Sequence, residues 1–393
     1  MQTNDALLDE VAVQVVADRR HLHAHPELGF EEFETARFVA ARLRDLGLEV
    51  QTGIAQTGVV GLLRGGRPGK TVLLRADMDA LPIEELNDVP YKSQRPGVMH
   101  ACGHDGHTAI LLNTVRVLVE RRDDLAGTIK VVFQPCEERP PGGAVQMIVE
   151  GVLENPTVDA VFGLHLSQWL PVGMVAVRPG PMMAAADMFR LDITGTGGHA
   201  AAPHLSVDTA LVAAQVLVAL HTLVAREVKP IEPVVLTVGM IQAGTAPNII
   251  PETAMLRGTV RTFNKEVRQY MARRVEEVAR GVAVAMRAAC ACTYEWGYPA
   301  VVNDPAMADL VAGVAREVVG PDRVTAFEPS MGGEDFASFL ERAPGCFFNV
   351  GTRNEERDLV WSHHHPRFDI DEAALPIGIE MFVRVVDRYL AQG

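Results

Sequence analysis

Along the first half of the chain, short β-branched and apolar runs alternate with longer amphipathic stretches, the pattern of a mainly parallel α/β sheet. Residues 71–76, 128–133 and 158–164 are continuous apolar runs and predict buried strands. Between the first two, residues 107–120 carry Ala109, Leu112, Val115 and Val119 at helical spacing. Polar, chemically capable residues follow each strand, and in open α/β sheets that edge binds ligands.

From about Met188 the rhythm changes. Residues 189–194 predict a strand and 207–227 a helix; 234–241 and 255–263 predict two strands, 266–289 a helix and 293–298 a last strand. The order βαββαβ is the split ferredoxin-like arrangement, complete as a small domain. Helical patterns at 306–319 and 373–390 can return to the first sheet. The expected fold is therefore α/β with two domains, 187–298 being inserted into a larger one made of 1–186 and 299–393.

The length of 393 residues suits two domains, and 48% apolar against 22% charged residues leaves ample core. Fifty acidic residues against 36 basic give a formal charge of −14, which repels phosphate backbones and anionic leaflets. Neither nucleic acid nor a membrane is an expected partner. Neither a run near the roughly 18 apolar residues of a membrane span nor a signal peptide is expected. Five cysteines, an odd number, fit a reducing cytoplasm and exclude a disulfide scaffold.

The strongest chemical cluster is Met99-His100-Ala101-Cys102-Gly103-His104-Asp105-Gly106-His107, just before a helix. A thiolate and an imidazole two residues apart can reach one ion, and that donor pair suits zinc and its borderline neighbours. Glu137 and Glu138, after a strand, can divide metal binding and proton transfer between them. His165 and one of His363, His364 and His365 also follow strand-like runs. Taken singly, Cys102 reads equally as a buried hydrophobe, His165 as a core histidine and the acidic pair as solvated surface. His21, His23 and His25 are read as a helix end, and Cys290 and Cys292 as packing residues at another.

Taken together with Leu74-Arg75-Ala76-Asp77-Met78-Asp79-Ala80-Leu81-Pro82, these segments resemble the M20 family of metallopeptidases and amidohydrolases. The branch they are most similar to contains hippurate hydrolases, bacterial N-acyl-amino-acid amidohydrolases (aminoacylases) and plant auxin-conjugate hydrolases. The resemblance runs almost end to end. It includes His25-Pro26-Glu27-Leu28-Gly29, Gly197-Gly198-His199-Ala200, Ala246-Pro247-Asn248-Ile249-Ile250-Pro251, Gly332-Gly333-Glu334-Asp335-Phe336 and His364-His365-Pro366.

The resemblance implies a catalytic α/β domain interrupted by a lid and dimerisation domain. It makes Cys102, His104, Glu138, His165 and His364 the ligands of two divalent ions (zinc, manganese, cobalt or nickel), with Cys102 bridging. Glu137 becomes the general base, and His199 the donor to the developing oxyanion, often supplied across a dimer interface. Asn248 and Arg261 match positions that hold the substrate carboxylate, although an exposed strand arginine is an equal reading of Arg261. Asp79 orients a ligand, and Glu334 and Asp335 shape the site wall. The usual metal-binding histidine before the Asp-x-x-Pro motif is replaced by Asp77, a departure typical of this branch. Cys136 stands where relatives commonly carry a small apolar residue.

The expected activity is metal-dependent hydrolysis of N-acyl-L-amino acids, by a homodimer or homotetramer joined through the lid. A dipeptidase or exopeptidase with the same ions is the alternative. A metabolite-binding homologue without catalysis is disfavoured by retention of Glu137 and the ligand set.

Overall fold

The computed structural model describes residues 5–392. The chain folds as two compact units. One comprises the described residues up to Gly180, together with Val302–Glu328 and those from Asp335 onward; the other comprises Pro181–Val301 and Pro329–Glu334.

The first unit is built on an eight-stranded sheet in the order Glu49–Ile54, Gly58–Arg64, Ala126–Gln134, Arg67–Asp77, Ala160–Pro171, Gly345–Arg353, Val175–Val177, Val324–Ala326. The central strands pair parallel, and antiparallel pairs occur at the Glu49–Ile54 side and between Val175–Val177 and Gly345–Arg353. Residues 71–76 are buried throughout, as a strand covered on both faces requires. The helix His104–Val119 is likewise almost wholly buried and packs between Asp5–Ala24 and Ala374–Leu390. Val39, Leu74, Leu112, Phe133, Phe162, Phe348 and Phe382 belong to one continuous core.

Register defines the edge that carries the chemistry. Asp77 is opposite Gln134, so the two strands Arg67–Asp77 and Ala126–Gln134 end on one row. The neighbouring strand does not end there. It was expected to stop at Leu164, but it runs as Ala160–Pro171, so His165 lies within a strand rather than after one. Gly345–Arg353 pairs parallel along its length, with Asn349 opposite His165, and extends it past its neighbours.

In the second unit the antiparallel order is Val234–Ala243, Thr253–Thr262, Ala185–Thr194, Ala289–Tyr298. This is the ferredoxin-like strand order, with the helices Thr209–Thr222 and Lys265–Ala285 packed on the sheet. Burial alternates along the first strand, so Phe189, Leu191 and Ile193 face inward. Met271, Val275, Ala279 and Ala283, spaced by four, form the buried stripe of the second helix. Asp208 and Asn264 cap the two helix starts by accepting backbone N–H bonds.

Two expectations need correction. The helix expected to reach Ala289 stops at Ala285, where the chain turns through Arg287 at φ +69°. Cys290 and Cys292 therefore sit in the strand Ala289–Tyr298, not at a helix end, and pack against the helix–sheet core. Among the described residues one helical stretch, Thr209–Glu227, is long and apolar enough to cross a membrane. It is apolar on both faces: Val212, Val216, Leu220 and Leu223 are buried on the sheet, while Leu211 and Val218 are exposed.

Candidate metal centre

The metal-binding candidates of the first unit arrive on four elements at one sheet edge. Gly103 at φ +91° turns the chain into the helix that opens with His104, a backbone region that glycine enters without steric cost. Two trios of side chains share one sulfur. Cys102, His104 and His165 offer donor atoms within 4.8 Å of one another, and so do Cys102, Glu138 and His364. His104, Glu137 and Glu138 form a third such group.

The hydrogen bonds leave these donors aimed inward. His104 Nδ1 is 2.9 Å from the Asp79 carbonyl, which only accepts, so Nδ1 carries the proton. Its Nε2 is buried and has no hydrogen-bond partner among the described residues. His165 Nδ1 in the same way donates to the Leu166 carbonyl at 2.7 Å, leaving the Nε2 lone pair 3.5 Å from Cys102 Sγ. Glu138 Oε1 is buried with no hydrogen bond of good geometry among the described residues, 3.1 Å from His364 Nε2 and 4.0 Å from His104 Nε2. Several buried, unsatisfied lone pairs around one point are costly unless a cation fills them. Mixed sulfur, nitrogen and oxygen donors suit a borderline transition ion.

Electrostatics point the same way. Burial, together with Glu138, Glu137 and Asp77, pushes the Cys102 thiol well above its ordinary value. Burial opposes charge on His104, but Asp77, Asp79 and Glu138 outweigh it and raise the imidazole to about 10. The same carboxylates thus hold protons on two groups that a cation would replace. His165 is driven well below its ordinary value by burial, His107 and His363, so it is neutral and can ligate.

The three consecutive histidines separate in space. His364, at φ +64°, donates its amide to the Ala101 carbonyl and faces Glu138. His363 Nε2 bonds the Leu166 carbonyl at 2.9 Å. His365 stacks on Trp361. Asp79 holds the turn as well as His104, because its Oδ2 accepts the Glu138 amide at 3.0 Å.

Behind these residues lies a buried layer in which Asp335 was expected at the site wall and Asp77 as a departure from the family motif, while Arg75, His100 and His107 had no expected role. Asp77 bonds His107 at 2.6 Å and Arg75 at 2.6 Å, and the fully buried Arg75 also reaches Asp335 at 2.8 Å. His107 in turn accepts the Leu166 amide at 2.9 Å, which pins the strand carrying His165. Burial holds His100 neutral, down to about 4, and neither ring nitrogen has a hydrogen-bond partner among the described residues. These residues stand inside the motifs quoted above, but nothing local in the sequence pairs them with one another.

The other candidates lie in the second unit. His199 is exposed on a two-residue strand paired with Ile249–Ile250, and the carbonyl of the exposed Asn248 accepts the Ala200 amide. His199 Nδ1 accepts the Ala201 amide at 3.0 Å, so Nε2 carries the proton and is a donor. Arg261 is apart from them, half-buried on the sheet, with Nη1 bonded to Thr259 Oγ1 and the carbonyls of Asp187 and Val260. Glu334 is buried in the segment Pro329–Glu334.

Residues 73–388 match the profile of peptidase family M20/M25/M40. The N-acyl-L-amino acid amidohydrolase of Geobacillus stearothermophilus is 46% identical over 297 residues, covering 76% of this chain and 80% of that protein. Thermostable carboxypeptidase 2 of Saccharolobus solfataricus is 41% identical over 372 residues, covering 94% and 93%. The crystal structure of the Bacillus subtilis YXEP protein, described as a dinuclear metal-binding peptidase of the M20 family, superposes with TM-score 0.86 at 35% identity, covering 98% and 99%. The chain is a hydrolase and belongs to peptidase family M20/M25/M40.

Proposed function

We propose that the protein hydrolyses the amide bond of N-acyl-L-amino acids, with Glu137 as general base beside two divalent ions. The observation that carries this reading is the pair of donor trios sharing Cys102, with Glu137 in reach of both His104 and Glu138. Five protein donors exceed what one catalytic ion with an open position takes, and a shared thiolate accommodates two. We assign Cys102 as the bridge, with His104, His165, Glu138 and His364 completing the set. Zinc, manganese, cobalt and nickel all suit these donors. When bound, the ions polarise the substrate carbonyl and lower the proton affinity of the attacking water.

The chain's own part is proton movement and orientation. Glu137 takes a proton from the attacking water and delivers it to the departing nitrogen. Asp79 keeps His104 in the Nε2-ligating tautomer through its carbonyl and holds the Glu138 turn through its carboxylate. His199, an Nε2 donor, stabilises the oxyanion, and Asn248 and Arg261 receive the substrate carboxylate. Glu334 contributes to the site wall.

The second unit is proposed to join copies into a homodimer or homotetramer, so that His199 serves across the interface. Supporting this, Leu211 and Val218 on its helix and Met240 and Ile241 on its edge strand are exposed. Such a face is a liability unless covered. A cytoplasmic location agrees with five free cysteines.

The 41% identity to a carboxypeptidase favours a second reading, cleavage of peptides from the carboxyl end. Elemental analysis and assays on hippurate, N-acetyl amino acids and simple dipeptides separate the two. Release of amino acid from the N-acyl panel is expected, and chelation is expected to abolish it. A metal-replete protein that cleaves only dipeptides would sink the amidohydrolase reading.

A further inference from the structure

Gly29, Glu32 and Thr57 take part in no step above, yet all three bear on the backbone of Cys136, the residue before Glu137. Cys136 has φ +50°, a left-handed conformation that costs a non-glycine residue energy and persists only where its surroundings impose it. Its amide donates to Glu32 Oε1 at 2.9 Å, and its carbonyl accepts from the Gly143 amide at 2.9 Å. The other Glu32 oxygen accepts the Thr57 hydroxyl at 2.6 Å. A Cβ on Gly29 would stand 2.7 Å from Cys136 Sγ and 3.1 Å from its Cα, so a larger residue at 29 would press on the Cys136 side chain.

Glu32 is an expensive group to keep. It is fully buried, and among the described residues it has no ion-pair partner, so burial pushes its carboxyl up to about 7. It precedes the helix Phe33–Asp45, where a polar side chain usually caps its own helix; here it makes no cap bond and reaches residue 136 instead. With Asp79 holding the Glu138 amide, two buried carboxylates grip the turn on either side of Glu137.

We propose that Glu32, anchored by Thr57 and given room by Gly29, is a positioning residue that fixes the Cys136 turn and thereby aims the general base. The proposal rests on Glu137 being that base. It predicts an effect on turnover rather than on metal or substrate binding, because the ligand atoms are held through other contacts.

The test compares Glu32→Ala, Glu32→Gln, Gly29→Ala and the double variant Gly29→Ala/Cys136→Gly, with Glu137→Ala as reference. Metal content, melting temperature, kcat and KM are measured on an N-acyl amino acid that the parent protein turns over. Glu32→Ala is expected to keep its metal and KM while kcat falls about 100-fold, the usual scale for a misplaced catalytic group. Glu32→Gln retains an acceptor for the Cys136 amide and a donor for Thr57, and should recover most of kcat. Gly29→Ala should lose kcat, and Cys136→Gly should restore it by removing the obstructing side chain. A Glu32→Ala protein with full metal and unchanged kcat overturns the proposal. So does a joint loss of metal, stability and activity in both Glu32 variants, with no rescue of Gly29→Ala. An active Glu137→Ala would instead remove the base assignment on which the proposal stands, and is read separately.

Discussion

Asp105 Oδ2 lies 2.7 Å from His23 Nδ1, and both side chains are fully buried. Asp105 directly follows His104, so a residue near the chain start is tied to the metal-binding turn. Arg19 bonds the same carboxylate at 2.8 Å, and Glu85 approaches the other His23 nitrogen at 3.2 Å. Burial and Arg19 work against charge on His23, but Asp105 and Glu85 prevail and raise it from 6.5 to about 9.

A raised histidine stabilises the fold when protonated. The contribution is fully present below the unfolded value near 6.5 and is lost as pH rises through about 9. A shift of that size corresponds to about 3 kcal/mol. Denaturant titrations of the parent protein should show stability falling across this window, and His23→Ala should lessen that fall by its own share. An unchanged pH profile in the variant would refute the assignment.

Metal affinity should rise with pH. In the ion-free protein His104 is held protonated up to about 10 and the Cys102 thiol well above its ordinary value, so each must lose a proton to ligate. Competition titrations with a chromophoric chelator should show tighter binding at each higher pH, with protons released in a weakly buffered sample. Affinity independent of pH would contradict this ligand set.

Glu137→Ala should retain metal and lose turnover on the order of 100- to 10,000-fold, the contribution usual for a general base. Cys102→Ala should lose metal occupancy as well, because both donor trios contain its sulfur. Metal counting beside the kinetic assay distinguishes the two effects.

Arg75→Met should destabilise the protein by roughly 3–5 kcal/mol, since it leaves two buried carboxylates without their cation. Asp77 and Asp335 each sit within 2.8 Å of that guanidinium. Urea midpoints at constant slope provide the measurement.

Leu211→Asp combined with Val218→Asp should yield monomers by light scattering, as both apolar side chains are exposed on the outer face of their helix. Persistence of the parent's assembly would move the interface elsewhere.

Much of the architecture was legible from periodicity alone. Residues 71–76 and 128–133 lie within observed strands, and the βαββαβ order read from 189 onward matches the observed second sheet. These features depend on residues near one another in the chain, where apolar spacing reports the buried face directly. The Cys-x-His motif was legible for the same reason: two ligands on one short turn.

Other features had no local signature. Whether His363, His364 or His365 faces Glu138 depends on a left-handed backbone at His364 and on its amide reaching Ala101. The run through His165 outlasts its own hydrophobic pattern because Gly345–Arg353 pairs beside it. Arg75 meets Asp335 across 260 positions, and Glu32 meets Cys136 across 104.

The sequence by itself determined which segments become strands or helices and which residue types can bind metal or move protons, because those properties follow from side-chain chemistry and short-range spacing. Only the tertiary structure decided which buried carboxylate grips which turn. Such pairings are set where distant strands end on a common row, and there a polar group loses water and must find its partner in the fold.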